Sequence, residues 1–255
     1  MRESVPSRHI RTVLGLVMAL CLVGGIAACE FPTEKQLAKP LGSSDGSGSP
    51  GGTTPDSAFS EADSAIAVLQ SLPVKGRAPK TGYNRDQFGQ RWSDNVSVES
   101  GHNGCDTRND ILRRDLTNVE LKPGSRDCVV VSGLLHDPYT GKDIPFTRGQ
   151  GTSEAVQIDH VVAISNAWQT GAQQLTAEER TNFANDPLNL LAVDGPANQK
   201  KGDGDAATWL PPQKSYRCAY VARQIEVKAR YRLWVTQPEK DAMLSILDTC
   251  DTDTS

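Results

Sequence analysis

Between Pro40 and Gly52 the chain reads Pro-Leu-Gly-Ser-Ser-Asp-Gly-Ser-Gly-Ser-Pro-Gly-Gly, and almost nothing in that run can enter a core. A Gly/Ser stretch behaves as a flexible coil, because no buried side chain offsets the entropy lost on ordering it. The folded part of this 255-residue chain is therefore predicted to begin near Asp56. Roughly 200 residues remain, enough for one domain that buries about 70% of its unfolded surface. The formal charge is −4, and from Lys75 to Cys250 there are 22 basic and 22 acidic residues. Coating nucleic acid by bulk charge needs an excess of Lys and Arg, so that class is excluded, whereas a local phosphate site is not.

Ahead of the spacer, Arg2, Arg8 and Arg11 precede an apolar run from Val13 to Ala28. The run falls short of the ~20 apolar residues of a comfortable bilayer span, and it suits the apolar region of a signal peptide. It ends in Ile26-Ala27-Ala28-Cys29. This resembles the lipobox of bacterial lipoproteins, where cleavage before the Cys leaves a thiol for acylation. Residues 1–28 are thus expected to be a lipoprotein signal peptide, and residues 29–55 a flexible linker anchored by lipid on Cys29. The folded part, 56–255, is expected outside the cytoplasmic membrane, lipid-anchored or secreted.

Ser57 to Leu72 is predicted to be a helix, with Ala62, Ala65, Ile66 and Leu69 at helical spacing and Pro73 as its stop. Lys75 to Gly151 reads as loop-rich, with short strands such as Val129-Val130-Val131. Ala155 to Ile164 and Leu188 to Val193 are predicted strands, and Gly195-Pro196 opens a short helix. Thr176-Ala177-Glu178-Glu179 and Thr236-Gln237-Pro238-Glu239 are capping boxes. Cys218, Val221, Ala222, Ile225, Ala229 and Leu233 share one helix face, and Met243, Leu244 and Leu247 another, which predicts a C-terminal helical hairpin. With Cys21 in the leader and Cys29 lipidated, four Cys remain, and four allow three pairings. Cys105 with Cys128 closes a loop, and Cys218 with Cys250 staples the hairpin. A zinc site is the rival, but no Cys-x-x-Cys spacing supports it.

Three His remain after the leader. His102 and His136 stand beside turn residues and are read as structural. His160 lies in Gln157-Ile158-Asp159-His160-Val161-Val162. Downstream come Asn189, in Asp186-Pro187-Leu188-Asn189-Leu190-Leu191-Ala192-Val193, and Asn198, in Gly195-Pro196-Ala197-Asn198-Gln199-Lys200-Lys201-Gly202-Asp203. A neutral His can take a proton from water near pH 7. A carboxylate and an amide oxygen suit a hard ion such as Mg²⁺. Taken singly, each piece has a plain structural reading; taken together they point to phosphodiester hydrolysis.

The order Asp-His, Asn, Asn resembles the HNH, or His-Me finger, endonucleases. The stretch from Asp159 to Asp203, with Trp209-Leu210-Pro211-Pro212, is similar to a secreted bacterial branch of that family. It is also similar to the C-terminal domain of GmrSD-type modification-dependent restriction enzymes. The likeness reaches back through Gly82-Tyr83-Asn84-Arg85, Phe88-Gly89, Trp92 and Cys105-Asp106-Thr107-Arg108, and on to Cys250. It implies an α+β fold built on a ββα-metal core with the C-terminal helical hairpin and two disulfides. It implies His160 as general base and Asp159 and Asn198 as ligands of Mg²⁺ or Mn²⁺. Asn189 would orient the loop of His160, and Lys200, Lys201 and Arg108 would be phosphate contacts. The implied substrate is nucleic acid, DNA first and RNA second, and the implied membrane contact is the lipid on Cys29. The last ligand is Asn where the family name has His, which disfavours Zn²⁺. The competing expectation is an inactive envelope lipoprotein that uses an HNH-like fold as a binding module.

Overall fold

The computed structural model describes residues 55–250. The leader, Cys29, most of the linker and the last five residues lie outside the described residues. The described chain is a mixed α and β protein with two small antiparallel sheets. Strands β1 (Leu116–Leu121), β2 (Val130–His136) and β3 (Asp143–Thr147) form a meander in that order. Strands β4 (Val156–His160) and β5 (Leu190–Asp194) form a separate two-stranded ribbon, with Val156 opposite Asp194 and His160 opposite Leu190.

The ribbon is buried on both faces, which explains the unbroken apolar run Leu190-Leu191-Ala192-Val193. Val156, Ile158, Leu190 and Ala192 pack with Ile111, Leu112, Leu135 and Phe146. Those partners come from the three-stranded sheet and from helix α2 (Thr107–Asp115). On the other face, Leu191 and Val193 pack with Leu69, Tyr220, Val221, Ile225 and Met243. These belong to α1 (Pro55–Ser71), α6 (Arg217–Arg230) and α7 (Gln237–Leu247). Between β4 and β5 the chain makes α3 (Ile164–Gln169) and α4 (Ala177–Asn185), the latter opened by the Thr176–Glu179 capping box.

Helix α5 (Gly195–Lys201) follows β5 with no loop at all. Asp194 caps it by accepting from the Ala197 amide at 2.8 Å. Gly195 is required by a close approach, since a Cβ there would lie 2.2 Å from the Glu154 carbonyl oxygen. Strand, strand and helix are thereby locked as one unit, and the predicted site residues sit on it.

The hairpin of α6 and α7 forms, with the Thr236–Glu239 capping box at the start of α7, but Leu233, expected on the face of α6, lies past its end at Arg230 and packs with Phe183 and Val227. The disulfides are Cys105–Cys128 and Cys218–Cys250, with Cα atoms 5.2 and 5.8 Å apart. Two stretches differ from the sequence reading. The strand expected to run to Ile164 stops at His160, where Asn189 takes over the backbone bonding of Val161 and Val162. The stretch expected to be loop-rich contains α2, capped by Asp106 on the Asn109 amide at 2.9 Å, and the whole meander. Replacing Cys218 and Cys250 together with Ser is expected to cost about 2–4 kcal/mol. Urea unfolding checks this, and an unchanged midpoint would show that the capped hairpin holds without its staple.

Candidate active site

His160 is the last residue of β4 and is buried. Its Nε2 lies 2.9 Å from the carbonyl oxygen of Ala184, in the last turn of α4. A carbonyl only accepts, so Nε2 carries the proton and Nδ1 keeps its lone pair. Burial pushes the imidazole pKa down to about 3, against the Ala184 bond, and the positive charges of Arg85, Lys201 and Arg91 push the same way as burial. The ring is therefore neutral at physiological pH. Trp92 stacks beside it, with centroids 6.3 Å apart and planes 14° from parallel. Trp92 has a backbone φ of 58°, a left-handed conformation that is strained for a bulky residue. It is held there by the Thr107 amide bonding its carbonyl and by the Ser93 amide bonding Asn185 Oδ1 at 2.9 Å.

Asn189 is fully buried and fastens the chain just past His160. Its Oδ1 accepts from the Val162 amide at 2.8 Å, and its Nδ2 donates to the carbonyls of Val162 and Phe183. Its own carbonyl accepts from Val161. These bonds fix both sides of the turn that carries the imidazole.

Successive side chains of a strand point to opposite faces, so Asp159 turns away from His160 toward the aromatic cluster of Tyr139, Trp209 and Tyr220. Lys201 Nζ, itself buried, lies 2.9 and 2.7 Å from the two oxygens of Asp159 and 2.7 Å from the His160 carbonyl oxygen. The Tyr139 hydroxyl donates to Asp159 Oδ2 at 2.6 Å. Lys201 is thus no surface contact for a phosphate, because its charge is consumed by Asp159. Lys200 is exposed on α5 with no described partner. Arg108 stands over the Phe146 ring at 5.7 Å and lines neither cavity at His160. His136 pairs with Asp143 at 2.6 Å on an exposed edge, and His102 occupies a left-handed turn.

A cleft of about 320 Å³ opens beside His160 and Asp159, and Tyr83, Arg85, Asn198 and Asp203 also line it. On another side of His160 a cavity of about 20 Å³, walled by Arg85, Arg91 and Trp92 among others, has room for one water. In the cleft, Asn198 donates from Nδ2 to Gln157 Oε1 at 3.0 Å, and no described hydrogen bond takes its Oδ1. Asp203 is held by Lys80 at 2.6 Å and by Ser165 Oγ at 3.0 Å, and the Lys80 bond keeps its pKa below the usual carboxylate range. Asp205 pairs with Arg77 at 2.7 Å and caps the following turn at Ala207 and Thr208.

The donors of the cleft suit a hard ion in kind, the carboxylates of Asp159 and Asp203 and the amide oxygen of Asn198, with no sulfur or second imidazole. Among the described residues no three His, Cys, Asp or Glu side chains gather to hold a metal. Asp159 retains lone pairs, but the neighbouring Lys201 ammonium already neutralises it. The set fits Mg²⁺ or Mn²⁺ only as a weak partial site whose other ligands are water and phosphate oxygens.

Arg91 carries no signal in the sequence, and Arg85 and Trp92 are marked there only by the family likeness, with no role assigned to them. All three lie about 70 residues before His160, and locally the segment shows only a turn-forming Asn84 whose side chain accepts from the Asp86 amide.

Residues 106–246, more than half of the chain, match the family described as GmrSD restriction endonucleases, C-terminal domain. The chain is also 41% identical over 191 residues to a protein of Arthroderma benhamiae named "Uncharacterized secreted protein", covering 74% of this chain and 86% of that one. That relative is fungal, so the likeness is not confined to bacteria. No solved structure matches the chain. The matched residues contain all of β4, β5 and α5, with His160, Asn189 and Asn198 in place, whereas Arg85, Arg91 and Trp92 precede them. On both the family match and the identity, this chain belongs to the family of GmrSD restriction endonuclease C-terminal domains.

Proposed function

We propose that this protein is a metal-dependent endonuclease that hydrolyses phosphodiester bonds, of DNA before RNA, with β4, β5 and α5 as an HNH, or His-Me finger, unit. The observation that carries the reading is the state of His160: neutral, fixed through Nε2, and set beside a cleft shared with Asp159 and Asn198. Nδ1 takes a proton from water, and the water oxygen forms a bond to phosphorus as the 3′ oxygen departs with the electron pair of the broken bond and takes up a proton from solvent. The products are a 5′-phosphate and a 3′-hydroxyl, as the family resemblance implies. The imidazolium formed is stabilised by the anionic phosphate in front of it, which also raises a pKa that burial alone sets too low for an efficient base. Asn189 positions this base and touches no substrate. Asp159 and Asn198 would hold Mg²⁺ or Mn²⁺, which when bound neutralises charge on the phosphate and the leaving oxygen.

Export fits the leader, the two disulfides and the secreted relative, and lipid on Cys29 would keep the enzyme at the outer face of the membrane. The second reading, a catalytically inactive binding module, is favoured by one observation: Lys201 already occupies both oxygens of Asp159. Metal affinity separates the two. Mn²⁺ binding followed by electron paramagnetic resonance is expected to be weak for the protein alone, to tighten with an uncleavable oligonucleotide, and to weaken in Asn198→Ala. No Mn²⁺ uptake with or without the oligonucleotide favours the binding module. Asn198 is the better variant, because Asp159→Asn strands the buried ammonium of Lys201.

The protein is expected to nick supercoiled plasmid in Mg²⁺ or Mn²⁺ and not in EDTA, and His160→Ala to cut the rate by about 10²–10⁴. Nicking that survives in His160→Ala sinks the assignment of the base. His160 also governs acid stability. Its pKa is near 6.5 unfolded and about 3 folded, so between these values the unfolded chain binds the extra proton. Stability is full above about pH 6.5 and falls as pH drops toward 3. In urea unfolding, His160→Gln is expected to remove about 1.4 kcal/mol per pH unit from the slope within that window. An equal slope in the variant would show that His160 titrates normally in the folded state.

A further inference from the structure

We infer that Arg85 and Arg91 form the anion site that seats the phosphodiester against His160. This rests on the nuclease reading and moves the phosphate contacts from Lys200, Lys201 and Arg108 to the segment ahead of the residues matched by the family. Arg85 lines both the open cleft and the one-water cavity, so it stands where the two meet at the imidazole. Arg91 lines the one-water cavity and lies over the Trp92 ring at 6.0 Å, and that ring stacks beside His160.

Neither guanidinium has a carboxylate or hydrogen-bond partner among the described residues. Four arginines elsewhere do: Arg77 pairs with Asp205, Arg114 with Asp115, Arg230 with Asp186, and Arg232 with Glu179. Two cations kept unneutralised at one wall attract an anion there and repel each other without it. Desolvation against the wall, and then the charge of Arg91, lower the pKa of Arg85, in keeping with that crowding.

The wall is also stiff. Arg85 opens a 3-10 turn, Arg85–Phe88, capped by Asn84. The turn is anchored by Phe88, which is buried against Trp168 and Phe183. Arg91 precedes the strained but well-bonded Trp92. A planar guanidinium fork matches two phosphate oxygens, and with the backbone of the wall already fixed only the two side chains need ordering on binding. The Lys201–Asp159 pair is internally neutral and cannot do this work. A phosphate held here places negative charge next to the ring that must become imidazolium.

The test is fluorescence anisotropy of the whole protein with a short DNA duplex in EDTA, across a salt series. The Arg85→Gln, Arg91→Gln double variant is expected to bind about tenfold more weakly or worse. Its slope of log affinity against log salt is expected to shrink by about 2, near 0.9 for each phosphate no longer neutralised. Arg126→Gln makes the same charge change at an exposed, unpaired turn residue that lines neither cavity, and is expected to leave the slope alone. Arg85→Lys should keep the slope, since the charge remains, and lower the nicking rate, since the fork is gone. Both arginines are exposed and unpaired, so equal urea midpoints will certify the fold. An unaltered slope in the double variant, or one shared with Arg126→Gln, overturns the proposal. If wild type still nicks plasmid and His160→Ala does not, the nuclease reading survives that result. Wild type that neither binds nor nicks overturns both.

Discussion

A buried ammonium holds the site together. Lys201, in the last turn of α5, meets both oxygens of Asp159 and the carbonyl of His160, while Tyr139 completes the carboxylate. Desolvating two charges costs several kcal/mol each, and only close geometry with further hydrogen bonds offsets it. Here the bonds are all present. Removing either partner alone would leave an uncompensated charge in the aromatic cluster, at about 3–5 kcal/mol. The consequence is mechanical. The helix end is tied to the last two residues of the strand, so the backbone of His160 is gripped by Lys201 on one side and by Asn189 on the other. The hairpin of α6 and α7 uses the same device, with Lys228 and Glu239 paired at 2.9 Å in the interior and Lys228 also bonding the Trp234 carbonyl.

The alternation of a β-strand divides the labour between two residues adjacent in sequence. Asp159 faces the interior of the molecule and is neutralised there. His160 faces Trp92 and the end of α4, where the unpaired Arg85 and Arg91 line the same cavity. Neutral on one face and positive on the other, β4 presents the imidazole toward the side where an anion is welcome. Burial alone would leave His160 a poor base; on the proposed reading, a phosphate bound in front of it supplies the opposite charge.

Much of this was legible in the residues, and the parts that were not share a cause. Apolar spacing marked the C-terminal helices, and the capping boxes at Thr176 and Thr236 marked two helix starts, because these signals are local. The short spacing from Leu190 to Lys201 fixed a strand followed at once by a helix. Helix α2 escaped because Thr-Arg-Asn-Asp-Ile-Leu-Arg-Arg-Asp offers only Ile111 and Leu112 as apolar residues, too few for a stripe; its cap at Asp106 was the available signal. Lys200 and Lys201 were both expected at a phosphate, yet the helix turns one of them to water and the other into the core. Arg85 and Arg91 come to His160 only through tertiary packing, by way of Phe88 against Phe183 and Trp168, and no spacing in the sequence reports that.

The formal charge of −4 and a polyanionic substrate are compatible because the relevant field is local. On the proposed reading the load on the phosphate is shared by two arginines and a divalent ion, none of which reads base edges. Contacts of that kind fix position rather than sequence. The same arrangement couples the two ligands. Asp159, already facing Lys201, attracts a second cation weakly until phosphate oxygens join the coordination. A phosphate seated by Arg85 and Arg91 brings those oxygens to the cleft that Asn198 lines. Linkage then requires the ion to tighten the phosphate by the factor by which the phosphate tightens the ion, so a site too sparse to keep a metal alone becomes complete only when there is a bond to cut.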